Sequence, residues 1–480
     1  MKISSSFLVV FCSLILLFTF NQSFAKEAKH LLALEQLPQL NQIAKNNKEW
    51  NPASVFSRPT FSCEFKTCLP LEKAIERSLA KGFASRAGFE SVYQARKRVL
   101  MQVGQLLPRL QAELGIGILP ESMSSLAGGL VGFALPSNWF SWKESRLVYE
   151  AEKQNYLNLL QDEVATIETL YYNMNRFNIE IEIYTFYRNH LQNFIELLKG
   201  STYSGNLSKQ TIPLLEQFVR KLEQEIILLA NITRAVDSYD LALALAITTE
   251  ENFGIYPIVL PDLSSSTERS VEDYIEKMLS NSATLKSIDY LKKSSKYAKL
   301  SRTFNFFGVG GGSGAESTVG IDFGFDNVVD VSIAKSETRT YDILNDEYKI
   351  NLKVNLERAV EGYNATLVLD KKYTDSIQAN AKLFEGVLED LKTSQKVDPL
   401  LFIKLVEWGL DTELSRNFAR HFNLIMQSQM DRFLVEKDVY KNLLKYIPAK
   451  GTPHPVSDFL LYREDQLIEK DIKKGILKID

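Results

Sequence analysis

The strongest constraint on this chain of 480 residues is that it resembles itself. The segment Leu71-Glu72-Lys73-Ala74-Ile75-Glu76-Arg77-Ser78-Leu79 returns as Val271-Glu272-Asp273-Tyr274-Ile275-Glu276-Lys277-Met278-Leu279, with Glu72/Glu272, Ile75/Ile275, Glu76/Glu276 and Leu79/Leu279 identical. Arg109 with Gly115-Ile116-Gly117 is echoed by Arg302 with Gly308-Val309-Gly310, and Tyr172-Asn173 by Tyr363-Asn364. The offset falls from 200 to 193 to 191, as small loop deletions between old copies produce. Each match is weak alone, but their common order identifies a duplication. The chain therefore divides into a lead, repeat 1 over 68–262, repeat 2 over 263–450 and a tail over 451–480.

Each copy reads helix, strand, turn, strand, long helix, long helix. A helical pattern from Leu71 ends at Leu106, because Pro108 lacks an N–H and disfavours helix in Leu107 before it. The period then changes to two: Leu110, Ala112, Leu114, Ile116 and Ile118 alternate with Arg109, Gln111, Glu113, Gly115 and Gly117. In the second copy Val319, Ile321, Phe323 and Phe325 alternate with Gly320, Asp322, Gly324 and Asp326, after a Gly310–Gly314 turn. The hairpins precede proline-free amphipathic stretches. From Lys143 to Leu198 the apolar positions Leu160, Val164, Ile167, Tyr171, Met174, Phe177, Ile181 and Tyr184 step by threes and fours, the helical period. Such a helix is a rod of roughly 84 Å at ~1.5 Å per residue. A break at Gly200–Asn206 precedes a second helix, Lys209–Thr249; the later copy repeats this with Ser336–Lys392, a break at Thr393–Pro399, and Leu400–Tyr446. Rods this long suit a coiled-coil-like array packed on neighbouring rods.

The N-terminus carries an address. Lys2 precedes an apolar stretch from Phe7 to Phe20, and Ser23-Phe24-Ala25 supplies small residues for signal peptidase, so residues 1–25 read as a cleaved signal peptide. Cys12 leaves with it. Cys63 and Cys68, in the 26–67 extension and at its border with repeat 1, remain as an even pair, and in an oxidising compartment they suggest a local disulfide, with two buried thiols as the alternative. The 56 basic and 59 acidic residues leave a formal charge of -3, and no Lys/Arg block stands out, which disfavours nucleic acid as a partner. Beyond residue 25 no run approaches the ~18 to 20 apolar residues of a membrane-spanning helix. If the chain crosses a membrane, it does so as strands. Four strands cannot close a barrel. Spacing does not give the number of copies, but three protomers of four strands each would close a twelve-stranded one, with Val319, Ile321, Phe323 and Phe325 facing lipid and Glu113, Asp322 and Asp326 facing a wet lumen. A soluble half-buried sheet is the alternative.

Across about residues 68–447 the chain resembles the TolC-type outer-membrane efflux protein family. The resemblance rests on the Leu71–Leu79 segment leading to Leu106-Leu107-Pro108-Arg109-Leu110, the Gly-rich strand segments 129–135 and 318–326, and Gly205-Asn206-Leu207-Ser208 at the helical tip. It implies a mainly α fold with a small transmembrane β part: a trimeric twelve-stranded barrel continued by a periplasmic α-helical tunnel. It also implies an exit duct for tripartite efflux or type I secretion, partnered by a periplasmic adaptor, an inner-membrane pump and outer-membrane lipid. In the family the tips form the periplasmic aperture and the adaptor dock, which here places Gly205, Ser208, Thr211, Ser394, Lys396 and Asp398 in that role. Thr211 stands where an Asp is usual, and Lys404 where an Asp is frequent. Lys396 and Asp398 read either as part of a gate or as solvated cap residues.

No catalytic constellation accompanies this pattern. His30, His190, His421 and His454 have no ligand spacing, and Gly310–Ala315, which fits a dinucleotide-loop pattern, leads into an alternating strand instead of a helix. Neither cofactor nor enzyme activity is expected, and energy for transport comes from a partner. The competing reading is an exported periplasmic coiled-coil scaffold without a pore. A Phe323→Arg substitution discriminates between them: on the barrel reading it reduces the yield of chain in outer-membrane fractions severalfold, measured by immunoblot, and the scaffold reading requires no change.

Overall fold

The computed structural model describes residues 67–106, 136–200, 211–247, 253–306, 325–392, 399–435 and 437–446. The expected hairpin strands of the first copy lie outside the described residues, as do Val319, Ile321, Asp322 and Phe323.

Repeat 1 opens with β1 (Thr67–Leu69), followed by α1 (Leu71–Lys81), α2 (Phe83–Leu106) and the long α3 (Pro136–Gly200). It continues through α4 (Thr211–Leu228), a π-helical turn (Leu229–Thr233), α5 (Arg234–Ala244) and β2 (Phe253–Ile255). Repeat 2 follows a 3-10 turn (Leu263–Ser265) with α6 (Glu272–Asn281), α7 (Ala283–Phe306), α8 (Phe325–Lys392) and α9 (Pro399–Leu434). It ends in α10 (Asp438–Lys441) and a second 3-10 turn (Asn442–Tyr446). At ~1.5 Å per residue, α3 and α8 are rods of about 98 and 102 Å.

Several boundaries differ from the sequence reading for identifiable reasons. The helix expected to run unbroken from Leu71 to Leu106 breaks at Gly82, whose extended backbone ends α1 while its N–H bonds Ser78 O. Repeat 2 breaks identically at Ser282, with its N–H on Met278 O, so the corner is duplicated at the original offset of 200. Phe325 and Asp326, expected on a strand facing lipid and lumen, instead occupy the first turn of α8. Alternation carries no mark of where the following helix begins, so the sequence pattern runs on into the first turn of the helix. The second helix of each hairpin is also shorter than expected, ending at Ala244 and Leu434. Just beyond each end lies a left-handed residue, Ala246 (φ 49°) and Val435 (φ 56°). At the first, the Ala246 N–H bonds Leu243 O and the Ile247 N–H bonds Ala242 O, the two-bond closure of a Schellman cap.

The shorter helices are arranged around the two rods. In the first half of α3, α2 packs on one side and α7 on the other, and α7 also packs on α8. Ser301 Oγ donates to Ser137 O at 3.2 Å and lies 3.0 Å from Ser141 Oγ, while Ser295 Oγ meets Thr338 Oγ1 at 2.9 Å. In the second half α4 and α5 take the place of α2, and α9 that of α7. The result is a layer four helices wide, with α8 at one edge and α2 or α4–α5 at the other. Lys221 of α4 reaches Glu407 of α9 at 3.8 Å, so the layer curves.

Three apolar clusters hold it together. One joins α1, α2 and α5 to Tyr156, Leu160, Val164, Ile167 and Tyr171 of α3. A second joins α4 and α9 to Ile179, Ile183, Tyr187 and Leu191, and the third closes repeat 2 around Leu356, Val360 and Met430. Along α3 the buried stripe read from the sequence holds through Phe177, but Ile181 and Tyr184 are only half-buried. There the burial passes to Ile179, Ile183 and Tyr187, because a 3.6-residue helix rotates against any fixed 3–4 pattern and meets new neighbours.

The midsection is pinned by polar contacts. β1 and β2 pair in parallel, Cys68 opposite Gly254, and the Tyr171 hydroxyl lies 2.9 Å from both Leu69 O and Tyr256 O. Cys68 is disulfide-bonded, as its sequence context suggests; Cys63 lies outside the described residues. In repeat 2, Asn364 plays the pinning part: its side chain accepts from Arg269 N and donates to Arg269 O, both at 2.9 Å. The left-handed cap gives a direct test of this backbone. A Cβ in that region costs ~1 to 2 kcal/mol, so Ala246→Gly raises unfolding stability by about 1 kcal/mol in urea titrations.

Candidate functional site

The end of the layer formed by the C-terminal turns of α3 and α8 and the N-terminal turns of α4 and α9 is where the sequence places an aperture. Of the residues expected there, Thr211 is the first of α4 and only 2% exposed, with its hydroxyl meeting no partner among the described residues. Gly205, Ser208, Ser394, Lys396 and Asp398 lie outside the described residues, as does Glu113 of the expected lumen set. Just inside this end, Lys199 of α3 binds Glu216 of α4 at 2.6 Å, which holds the exposed Glu216 carboxyl below its usual range. Phe402 of α9 stacks on Phe194 of α3, with ring centroids 4.1 Å apart, and leans on Phe384 of α8 at 5.2 Å. Three helices are thus gripped by one buried ring.

Beyond this aromatic grip, α9 carries a series of buried polar side chains that sequence reasoning missed. Gly409 comes first: a Cβ there would lie 2.6 Å from Asn380 Nδ2 and 2.9 Å from the Tyr187 hydroxyl, so any side chain at this position would have to displace both tips. Asn380 Nδ2 then donates to Leu405 O at 3.0 Å. Glu413 is 1% exposed; the Tyr187 hydroxyl donates to its carboxyl, while Oε2 is buried without a hydrogen-bond partner among the described residues. Burial pushes the Glu413 carboxyl up to about 8, against the weaker opposing pull of Tyr187 and Arg416.

One turn further along, Asp370 of α8 takes Arg416 Nε at 3.1 Å and Arg420 Nε at 2.7 Å. His421 lies between Asn417 O, 2.9 Å from Nδ1, and Asn175 Nδ2, 2.9 Å from Nε2. That pattern fixes the proton on Nδ1, and burial pulls the ring down to about 4, so it is neutral at ordinary pH. Asn175 Oδ1 in turn accepts from Ile258 N at 3.1 Å, tying α9 to the segment after β2. Asn417 Nδ2 reaches Arg176 O at 3.2 Å, and Asn423 Nδ2 reaches Thr366 Oγ1 at 2.7 Å. At the far end Ser428 donates to Glu168, and Lys437 bridges Glu168 at 3.0 Å and Asp431 at 3.2 Å. Helical spacing of Glu413, Asn417, Arg420 and Ser428 was the available signal.

This seam can key and hold helices; it holds no reactive constellation. Both ring nitrogens of His421 are engaged, and His190 packs on the Phe186 ring at 4.2 Å. Among the described residues no group of His, Cys, Asp or Glu has the arrangement of a metal site. No described helix is long and apolar enough to cross a membrane.

No family model and no curated protein matches the sequence. Solved structures do match the fold. The outer membrane protein VceC of Vibrio cholerae aligns over 76% of this chain and 95% of its own, with a TM-score of 0.60 at 10% identity. The open-state MtrE outer membrane channel of Neisseria gonorrhoeae aligns over 78% and 96%, with a TM-score of 0.60 at 12% identity. The Campylobacter jejuni CmeC outer membrane channel aligns over 84% and 97%, with a TM-score of 0.59 at 12% identity. The chain therefore has the fold of the TolC-type outer-membrane channels, the family its own residues resemble. The matches extend over nearly the full length of those proteins, further than one shared helical hairpin would reach.

The Asp370 cluster is testable without reference to transport. Asp370→Ala leaves two inward guanidinium groups without their carboxylate, which costs ~3 to 5 kcal/mol when a buried pair is broken. Urea unfolding of the purified chain reads this as a lower midpoint with an unchanged slope.

Proposed function

We propose that this protein is the outer-membrane exit duct of a tripartite efflux pump or a type I secretion system, a homotrimer that passes solutes or proteins outward from an inner-membrane pump. The observation that carries the reading is the pair of uncovered apolar edges. On α8, Ile343, Ile350, Val354 and Val368 are exposed at steps of seven, four and fourteen residues, which puts them on one face. The opposite edge exposes Met101 of α2 together with Ile227, Val236, Tyr239 and Leu243 of the α4–α5 stretch. The two edges bear different residues, so each suits the other and not itself. Such a heterologous contact on a curved layer closes into a ring.

The ring supplies what one chain lacks. Three curved layers enclose a tunnel, and three pairs of hairpins close a twelve-stranded barrel in the outer membrane while the helices extend through the periplasm. The duct is passive, opening when an adaptor contacts the helical tips, and it performs no catalysis. Known outer-membrane channels with the same fold support this reading.

The edge contact is the point to test. An Ile350→Glu/Val354→Glu double variant places two charges in the contact and converts an SDS-resistant trimer into monomer, read by electrophoresis without boiling and by light scattering. A wild-type chain recovered as a soluble periplasmic monomer overturns the duct and leaves the scaffold.

A further inference from the structure

Most of the buried polar groups along the seam of α9 with α3 and α8 are matched: Asp370 by two arginines, His421 by two amide groups, Glu168 by Ser428 and Lys437. Glu413 is not. Its carboxyl sits at the contact of α9 with α3, one turn beyond Gly409, where a Cβ would press on the Tyr187 hydroxyl and the Asn380 amide. From α3 it meets the Tyr187 hydroxyl; the titratable neighbours of Tyr187 on that helix, Tyr184 and His190, are both neutral at ordinary pH, because burial raises the phenol to about 12 and lowers the imidazole. On its own helix the acting cation is Arg416, which Asp370 of α8 already holds. Asp411, two residues back, is exposed. An ionised Glu413 would therefore place a negative charge in a contact whose nearest cation is committed elsewhere.

We propose that Glu413 is a proton-binding latch: carrying a proton, it lets α9 close against Tyr187 of α3 beside the aperture, and losing the proton loosens that contact. The link to the aperture rests on the duct reading; the latch itself does not. The sign follows from linkage. Closed, the carboxyl titrates at about 8; with α9 lifted and the group in water it returns to its ordinary 4.5. Closure is thus strongest below the ordinary carboxylate range and weakens as pH rises, by about tenfold per pH unit for one proton, until the closed-state value is passed.

The test uses the full-length chain in detergent, with hydrogen–deuterium exchange of α9 peptides covering residues 405–417 at pH 6, 7 and 8, corrected for intrinsic exchange. The expected result is a loss of protection of roughly tenfold per unit from pH 6 to 7, flattening toward 8, that is absent in Glu413→Gln. Equal slopes in the two proteins, or a flat wild type, overturn the latch. Tyr187→Phe is the second variant: it keeps the carboxyl but removes the donor that favours its charge, so the slope persists to higher pH. An unaltered profile there counts against the pairing. Conductance of wild type in planar bilayers over the same range separates the two readings. A pH-dependent exchange profile with no conductance keeps the latch and removes the duct.

Discussion

Everything in this molecule depends on the inability of one chain to cover two helices of about 100 Å. A helix in a compact domain is surrounded within three or four turns, whereas α3 and α8 continue for 65 and 68 residues. The chain covers α3 by giving it a different pair of neighbours in each half, α2 with α7 and then α4–α5 with α9. Among the described residues the outer flank of α8 stays exposed at Ile343, Ile350, Val354 and Val368. Two long helical hairpins side by side make a layer, and a layer has edges. Apolar edges exposed to water are unfavourable in proportion to their area, which is what the proposed association of copies would relieve.

Long parallel rods raise a second problem. Apolar stripes at 3–4 spacing pack almost as well after a slip of one turn, so apolar contact alone fixes their register weakly. The polar seam of α9 removes that freedom. Arg416 and Arg420 can meet Asp370, His421 can meet Asn175, and Ser428 can meet Glu168 in one alignment of α9 against its neighbours; a slip of ~5.4 Å leaves several of them buried and unpaired. Gly409 adds a steric key to the same alignment. The cost of placing charge inside the layer is thus offset by a single helix register, a role best attested for polar groups in coiled coils.

The legibility of this fold in its sequence follows the range of the signal. Helix existence and the long rods were readable, because period accumulates over tens of residues. The break at Gly82 was a single residue inside an apolar-periodic run, and Ser282, its partner in the second copy, carries no breaker signature at all. At Phe325 and Asp326 the period-2 alternation continues into residues that are helical, since alternation says nothing of where the next helix begins. The parallel pairing of Thr67–Leu69 with Phe253–Ile255 joins segments 186 residues apart and has no local signal. Of the polar seam, only His421 stood out in the sequence, as a histidine without ligand spacing; its nitrogens go to Asn175 and Asn417. Its partners stood on other helices, and no spacing within α9 could name them.

The two copies can be read against each other, and what persists between them is informative. The kept features are mostly corners, with the Tyr172-Asn173 and Tyr363-Asn364 pairs inside the rods as the exception: the helix break at Gly82 and Ser282, and the left-handed residue after the last helix, Ala246 and Val435. That last pair is 189 residues apart and continues the drift of the offset along the chain. Between corners the copies share almost nothing. A corner needs a particular backbone conformation, and few residues or hydrogen bonds supply it. A rod needs only an apolar residue every third or fourth position, which a very large number of sequences satisfy. The same arithmetic governs the comparison with other proteins. A fold that is mostly rod keeps its shape while identity falls to 10 or 12%, so no family model matches a chain whose architecture aligns over more than nine-tenths of known channels.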